Sequence, residues 1–144
     1  MVPSWNLHVT VAFLGSRPST DVRLVADALR AGVDAAGGAV LRLAGGRYRE
    51  TRSVGILVLE DHKGRAGALA GSVQRRLGEL GVYETERRPW LPHVTVLRFD
   101  RPPGLAPSGP ELPPFAPSDL AVFLSVLRSG GAQYETLESV SLGG

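Results

Sequence analysis

The tetrapeptide His-Val-Thr-Val occurs twice in this chain, as His8-Val9-Thr10-Val11 and as His93-Val94-Thr95-Val96. Valine and threonine are β-branched and favour the pleated strand. In a strand, residues i and i+2 share a face. Each copy therefore sets an imidazole beside a hydroxyl on one side and two valines on the other. Two identical strands far apart in sequence constrain the fold to one that holds two matching polar faces. They point to a site built from two halves.

At 144 residues, 43% hydrophobic and 21% charged, the chain fits a single domain covering 1–144. A domain of that size buries roughly 68–70% of its unfolded surface. There is no cysteine, which excludes disulfides and thiolate metal sites. No segment approaches the ~18 consecutive apolar residues of a membrane span, and the start lacks the basic and apolar regions of an export signal. The expectation is a soluble, cytoplasmic protein with no membrane partner. A net charge of +2 neither requires nor forbids an anionic ligand. The basic residues are lopsided, however: Lys63 is the lone lysine and the other fifteen are arginines. Arginine's planar fork suits phosphate and base stacking, although GC-rich coding would give the same bias in a Gly/Ala/Arg-rich chain.

Apolar periodicity then switches in a regular order. Residues 6–14 read as a strand closed by Gly15 and Pro18, with Ser19-Thr20-Asp21 as helix-cap candidates. Val22, Val25, Ala26, Leu29 and Val33 mark one helical face up to Gly37-Gly38. Residues 39–44 read as a short strand broken by Gly45-Gly46, Arg47 to Arg52 as a charged connection, and Val54 to Leu59 as a buried strand. Glu60 to Gly64 is a turn. A second helix carries Ala66, Leu69, Ala70, Val73, Leu77 and Leu80 on its apolar face and ends near Gly81. Glu84 to Arg88 is a charged loop, and Pro89 and Pro92 bracket Trp90 ahead of the second His-Val-Thr-Val strand. Pro102 to Pro117 holds seven prolines and reads as an exposed loop of polyproline character. Leu120 to Leu127 is a strand. After the Gly130-Gly131 turn, Gln133 to Leu142 forms another. Two helices among six strands imply an α+β fold with helices covering antiparallel sheets.

Alternation puts Asn6, His8, Thr10 and Ala12 on one face of the first strand, with Leu7, Val9, Val11 and Phe13 on the other. In the second strand His93, Thr95 and Leu97 oppose Val94, Val96 and Arg98. If the two polar faces meet, His8 and His93 flank one phosphorus atom. Cleaving a phosphodiester needs a base for the nucleophile and an acid for the leaving oxygen, and histidine serves as either near neutral pH. Thr10 and Thr95 could hydrogen-bond the non-bridging oxygens, where negative charge collects. No metal is needed, and two histidines without an Asp, Glu or Cys ligand pattern make a poor metal site. A single His-x-Thr strand is ordinary packing; the duplication is what favours chemistry. His62, in a Glu-Asp-His-Lys-Gly turn, reads as a solvated loop residue.

These residues carry a family resemblance. Asn6-Leu7-His8-Val9-Thr10-Val11-Ala12-Phe13-Leu14-Gly15 resembles the first signature of the 2H phosphoesterases, and Pro92-His93-Val94-Thr95-Val96-Leu97-Arg98 resembles the second with its trailing arginine. Within that superfamily the chain is most similar to the RNA 2′,3′-cyclic phosphodiesterases, also called 2′-5′ RNA ligases. The Ser53 to Glu60 strand, the Trp90 to Pro92 approach and the Gly-Gly-x-x-Tyr turn at Gly130 to Tyr134 occupy familiar places. The resemblance implies a bilobal α+β fold whose histidine strands line a central cleft. It implies metal-independent, cofactor-free opening of an RNA 2′,3′-cyclic phosphate end, or of a nucleoside 2′,3′-cyclic phosphate, to a 2′-phosphate. His8 would protonate the 3′ oxygen and His93 would activate water, or the two would exchange roles. Thr10 and Thr95 would bind phosphate. Phe13 and Arg98 would clasp the terminal base, against plain alternatives: a core aromatic for Phe13 and a far-side ion pair for Arg98. A non-catalytic module binding nucleotides or RNA ends is the alternative from another class.

Family members carry a strand and a helix ahead of the first signature, and this chain opens almost directly on it, with Val2-Pro3 matching the preceding loop. The expectation is an N-terminally shortened lobe, completed by a partner chain such as a second copy, by strand exchange or by rearrangement.

Overall fold

The computed structural model describes residues 2, 7–36, 41–105, 113–128 and 131–142. The elements run α1 (Val22–Ala35), β1 (Leu43–Glu50), β2 (Val54–Asp61), α2 (Arg65–Glu79), β3 (His93–Arg98), β4 (Asp119–Arg128) and β5 (Gly131–Ser141), with one-turn 3-10 segments at Ser19–Asp21 and His62–Gly64. Strands β1, β2 and β3 form one antiparallel sheet, and β4 and β5 form a second. The class is α+β, as the periodicity implies. No described helix is long and apolar enough to cross a membrane.

The helices follow their apolar stripes. Val25, Ala26, Ala28 and Leu29 of α1 and Ala66, Leu69, Ala70, Val73 and Leu77 of α2 are buried, the i, i+3, i+4 pattern of a helix with one face in the core. The two helices pack closely where Gly32 meets Val73. A Cβ on Gly32 would sit 2.7 Å from the Val73 Cγ2 atom. The core joins both helices to Leu41, Leu43, Leu59, Val82 and Leu142. Leu80, expected on the α2 stripe, is instead 45% exposed. It is the residue at which the helix stops. Gly81, at φ +75°, turns the chain; its N–H donates to the Gly78 carbonyl and the Val82 N–H to that of Leu77. This pair of bonds ends a helix on a left-handed glycine, and the Val82–Leu77 apolar contact accompanies it. At the other end of α2, the Asp61 carboxylate accepts hydrogen bonds from the Ala66 and Gly67 amides at 2.9 and 2.8 Å, satisfying first-turn donors. Asp21, of the three candidates, stands at the cap position of α1 but makes no side-chain cap bond.

Three expectations about the strands change. The first is residues 6–14. Asn6 lies outside the described residues, and in 7–14 the ladder is one bridge, between Val9 and Val94. Side chains take up part of the backbone pairing of this segment: the Trp90 indole N–H donates to the Thr10 carbonyl at 2.9 Å, and the Gln74 amide to that of Val11 at 2.7 Å. The backbone acceptors are satisfied without a sheet. A bend at Val11 breaks the alternation, so Ala12 and Leu14 join Val9 and Val11 against the core and Phe13 is left 80% exposed.

The second change is β1. It runs through Gly45-Gly46 and takes in the expected charged connection as far as Glu50. The glycines are a bulge, two residues against Leu59 alone. A Cβ on Gly46 would lie 1.6 Å from the Val58 carbonyl oxygen, so only glycine permits this approach. The third change is two further register shifts, in the β2–β3 and β4–β5 ladders. Of the expected proline-rich loop, residues 106–112 lie outside the described residues. Phe115 bridges to Leu43, and the Glu50 carboxylate holds the amides of Gly104 and Leu105. Glu50 also accepts from the Tyr48 hydroxyl at 2.9 Å. Desolvation and the Glu50 charge together raise the Tyr48 phenol above its ordinary pKa.

Candidate active site

Directly paired residues in an antiparallel ladder share a face, so the register fixes which side chains meet. The Val9–Val94 bridge puts both valines on the helix side, where both pack against the core. Their neighbours His8, Thr10, His93 and Thr95 therefore share the opposite face. Extending the antiparallel register by one residue each way sets His8 across from Thr95 and Thr10 across from His93. The two His-Val-Thr copies are thus related by a local two-fold through the Val9–Val94 pair. The histidines stand on a diagonal, a separation of about 7–8 Å in regular sheet geometry. Both histidines and Thr95 are half-buried, while Thr10 is exposed.

The bulges decide what else faces them. Thr95 pairs with Ile56 and Leu97 with Gly55, which leaves Val96 as the extra residue. The shift turns Arg98, paired with Val54, onto the Val54–Ile56–Val58 face together with His93 and Thr95. Leu97 goes to the other side. Simple alternation gives the reverse for both. The Val96 carbonyl, released from the ladder by the bulge, accepts from the Val2 amide at 3.0 Å. Arg98 is exposed and has no ion pair among the described residues, so the far-side salt bridge is absent there. Phe13 is not a core aromatic; at 80% exposure it points away from the core that Ala12 and Leu14 join.

In β5, Leu137 is the extra residue between Glu138, paired with Val122, and Thr136, paired with Phe123. Before the bulge, Val122, Leu120 and Val140 pack toward the helices, and Glu138 reaches Arg30 of α1 at 3.3 Å. Beyond it, Tyr134 and Thr136 share the opposite face with Phe123 and Ser125. That face meets the first copy: the His8 ring lies 4.8 Å from Tyr134 in an edge-on arrangement and 6.3 Å from Phe123. Tyr134 and Phe123 are themselves edge-on at 6.3 Å. The second sheet thus supplies an aromatic wall to His8. Phe123 was not legible as a site residue, since in sequence it is one apolar residue of an apolar strand. Tyr134 had a signal, the Gly-Gly-x-x-Tyr turn.

His93 is positioned from its own chain. Its Nδ1 lies 2.8 Å from the Leu91 carbonyl oxygen, which can only accept. Nδ1 therefore carries the proton, and in the neutral ring Nε2 carries the lone pair. The Pro92 carbonyl accepts from Leu59 at 2.9 Å, so the Leu91-Pro92 segment that holds His93 is an extension of the ladder. His62, expected to be solvated, is exposed in its 3-10 turn.

No protein-family model matches the chain, and no curated protein does. Solved structures do. TT0787 of Thermus thermophilus superposes with a TM-score of 0.76 at 27% identity, covering 99% of this chain and 81% of that one. Escherichia coli LigT in complex with 3′-AMP gives 0.73 at 21% identity, with 97% and 79% covered. A protein described as a phosphoesterase gives 0.69 at 21%, with 96% and 78% covered. The fold is that of the 2H phosphoesterases. Across this 2H fold the chain spans about four fifths of its solved neighbours' length. The second histidine copy lies in β3, at the edge of the three-stranded sheet, and the first bridges to it on one side and meets the β4–β5 hairpin on the other.

Proposed function

We propose that the chain is a metal-independent RNA 2′,3′-cyclic phosphodiesterase that opens a terminal cyclic phosphate to a 2′-phosphate. The observation that carries this reading is the Val9–Val94 bridge. It sets two imidazoles and two threonine hydroxyls on one face in two-fold relation, which matches a phosphorus atom attacked on one side and released on the other. The phosphoesterase fold supports the reaction class, and the LigT complexes with 3′-AMP, ATP and NADP+ support a nucleotide ligand.

His93, with Nδ1 tied to Leu91 and a lone pair on Nε2, is the base. It takes a proton from water as the water oxygen bonds to phosphorus. The P–O3′ bond breaks, and His8 delivers its proton to the departing 3′ oxygen. The 2′ ester remains, and proton exchange with solvent resets both rings. Thr10 and Thr95 donate to the non-bridging oxygens, in the place where donors stabilise developing charge best. Phe13, exposed beside the first copy, and Arg98, turned to the histidine face, stack on the terminal base. With the 5′-hydroxyl of a second RNA in place of water, the same groups would form a 2′-5′ linkage: the 5′ oxygen bonds to phosphorus, the P–O3′ bond breaks and His8 protonates the 3′ oxygen.

The test is incubation, in EDTA, of an RNA bearing a 2′,3′-cyclic phosphate, with the product resolved as 2′- or 3′-phosphate. The expected result is a 2′-phosphate from the wild type, formed at least about a hundredfold more slowly by His8→Ala or His93→Ala. Wild type and variants equally inert, with the RNA still bound, would make the protein a binding module instead.

A further inference from the structure

The Gly45-Gly46 bulge has the same effect in β1 that Val96 has in β3. Leu43 faces the core, and regular alternation would send Arg47 and Arg49 there too. The two-residue bulge reverses the alternation, so Arg47 pairs with Val58 and Arg49 with Ile56. Val58 and Ile56 pair in turn with His93 and Thr95. Two rows therefore cross the sheet on the histidine face. One runs Arg47, Val58, His93 and the other Arg49, Ile56, Thr95. Each arginine stands two strand spacings from the second histidine copy, about 10 Å at ~4.8 Å per spacing, within reach of an extended guanidinium on the same ligand. The floor between is apolar and closed, Ile56 at 7% and Val58 at 8% exposure. Both arginines are exposed and neither has an ion pair among the described residues. On this face of the sheet the described acid is Glu60, at the end paired with Ala44.

We infer that Arg47 and Arg49 bind the backbone phosphates of the RNA strand on the 5′ side of the cyclic end, which makes an oligonucleotide rather than a mononucleotide the preferred substrate. The inference rests on the phosphodiesterase reading for where the RNA end sits, and on the bulge register for where the arginines face. Charge complementarity selects the occupant. Two exposed guanidiniums with no ion pair among the described residues, on the face that carries the second histidine copy, fit a single strand with its phosphates on the cations. Fixing β1 so that cations face the site also explains why the strand crosses Val58 at a distance no side chain at position 46 allows.

The experiment compares kcat/KM for a nucleoside 2′,3′-cyclic phosphate and for a five-nucleotide RNA with the same end. The proteins are the wild type, the Arg47→Gln/Arg49→Gln double variant and, as a charge control on α1, Arg23→Gln. The double variant should lose about tenfold or more on the oligonucleotide, mostly in KM, and stay within twofold on the mononucleotide. Arg23→Gln should change neither. In parallel, fluorescence anisotropy measures binding of a five-nucleotide RNA with a plain 3′-phosphate at several salt concentrations. Removing two phosphate contacts should flatten the log K against log salt slope by about 1.4, at ~0.7 per contact for single strands. An unchanged oligonucleotide KM with an unchanged salt slope overturns the inference, as does an equal loss on both substrates. If the wild type proves inert on both cyclic phosphates, the phosphodiesterase reading falls, and the salt slope alone decides the role of the arginines.

Discussion

The two His-Val-Thr-Val copies are identical in sequence and held in opposite ways. The second is a strand of the sheet, paired with β2 at His93, Val94 and Thr95, bulged at Val96, and continued at both ends by the Leu59–Pro92 and Phe99–Ser53 backbone bonds. The first has one bridge and hangs from two side chains, the Trp90 indole and the Gln74 amide, with the His8 ring against Tyr134 of the other sheet. Four identical residues do not dictate their own support. A ladder gives His93 a place set by backbone geometry, whereas His8 depends on side chains from α2, from the Trp90 segment and from β5. The acid and the base of one proposed reaction therefore rest on different kinds of scaffold.

The largest effect that probes this contrast is removal of the rings themselves. His8→Ala and His93→Ala should each lower kcat/KM by about 10²–10⁴-fold, the range for a positioned acid or base. The pH profiles should differ. Loss of the base removes the fall in rate at low pH, and loss of the acid removes the fall at high pH. If His8→Ala loses the low-pH limb instead, the roles are exchanged. Next in size, Gly46→Ala should destabilise the protein by about 3 kcal/mol in urea unfolding, because the new Cβ collides with the Val58 carbonyl. A near-neutral result would mean that the ladder beneath the second copy is less exacting than its register.

Smaller, and aimed at the first copy alone, Trp90→Phe and Gln74→Ala should each remove about 1 kcal/mol and speed amide exchange in residues 7–14 while residues 93–98 stay protected. Equal acceleration in both segments would erase the distinction between the two scaffolds. The smallest effect expected is Tyr134→Ala. Loss of its edge-on contacts to His8 and Phe123, each of order 1 kcal/mol or less, should lower kcat severalfold. A matching fall in His93-dependent steps, read as a shift of both pH limbs, would show that the aromatic wall supports the whole cleft rather than His8.

Much of this was legible in the chain. The i, i+3, i+4 stripes located α1 and α2 within a few residues, because burial of one helix face is written in composition at fixed spacing. The β-branched runs located β2, β3 and β4, and the repeated tetrapeptide located the histidine pair. The errors in the strands share one cause. Each lies where a residue is inserted into, or drops out of, a ladder. Gly45-Gly46 looked like the end of a strand because glycine breaks local propensity, yet its lack of a Cβ is what lets β1 pass Val58. Val96 and Leu137 look like any other strand residue, since a bulge is a property of the pairing and not of either strand. The bend at Val11 depends on Gln74, 63 positions away.

The sequence by itself determined the class of fold, the faces of both helices and the identity of the paired histidines and threonines. These follow from local periodicity and from a repeat that needs no partner to be seen. Which cations share the face of His93, and which aromatics meet His8, was decided only by the tertiary structure. With a side-chain period of two, one extra residue reverses every face beyond it, and only the partner strand fixes where that residue goes.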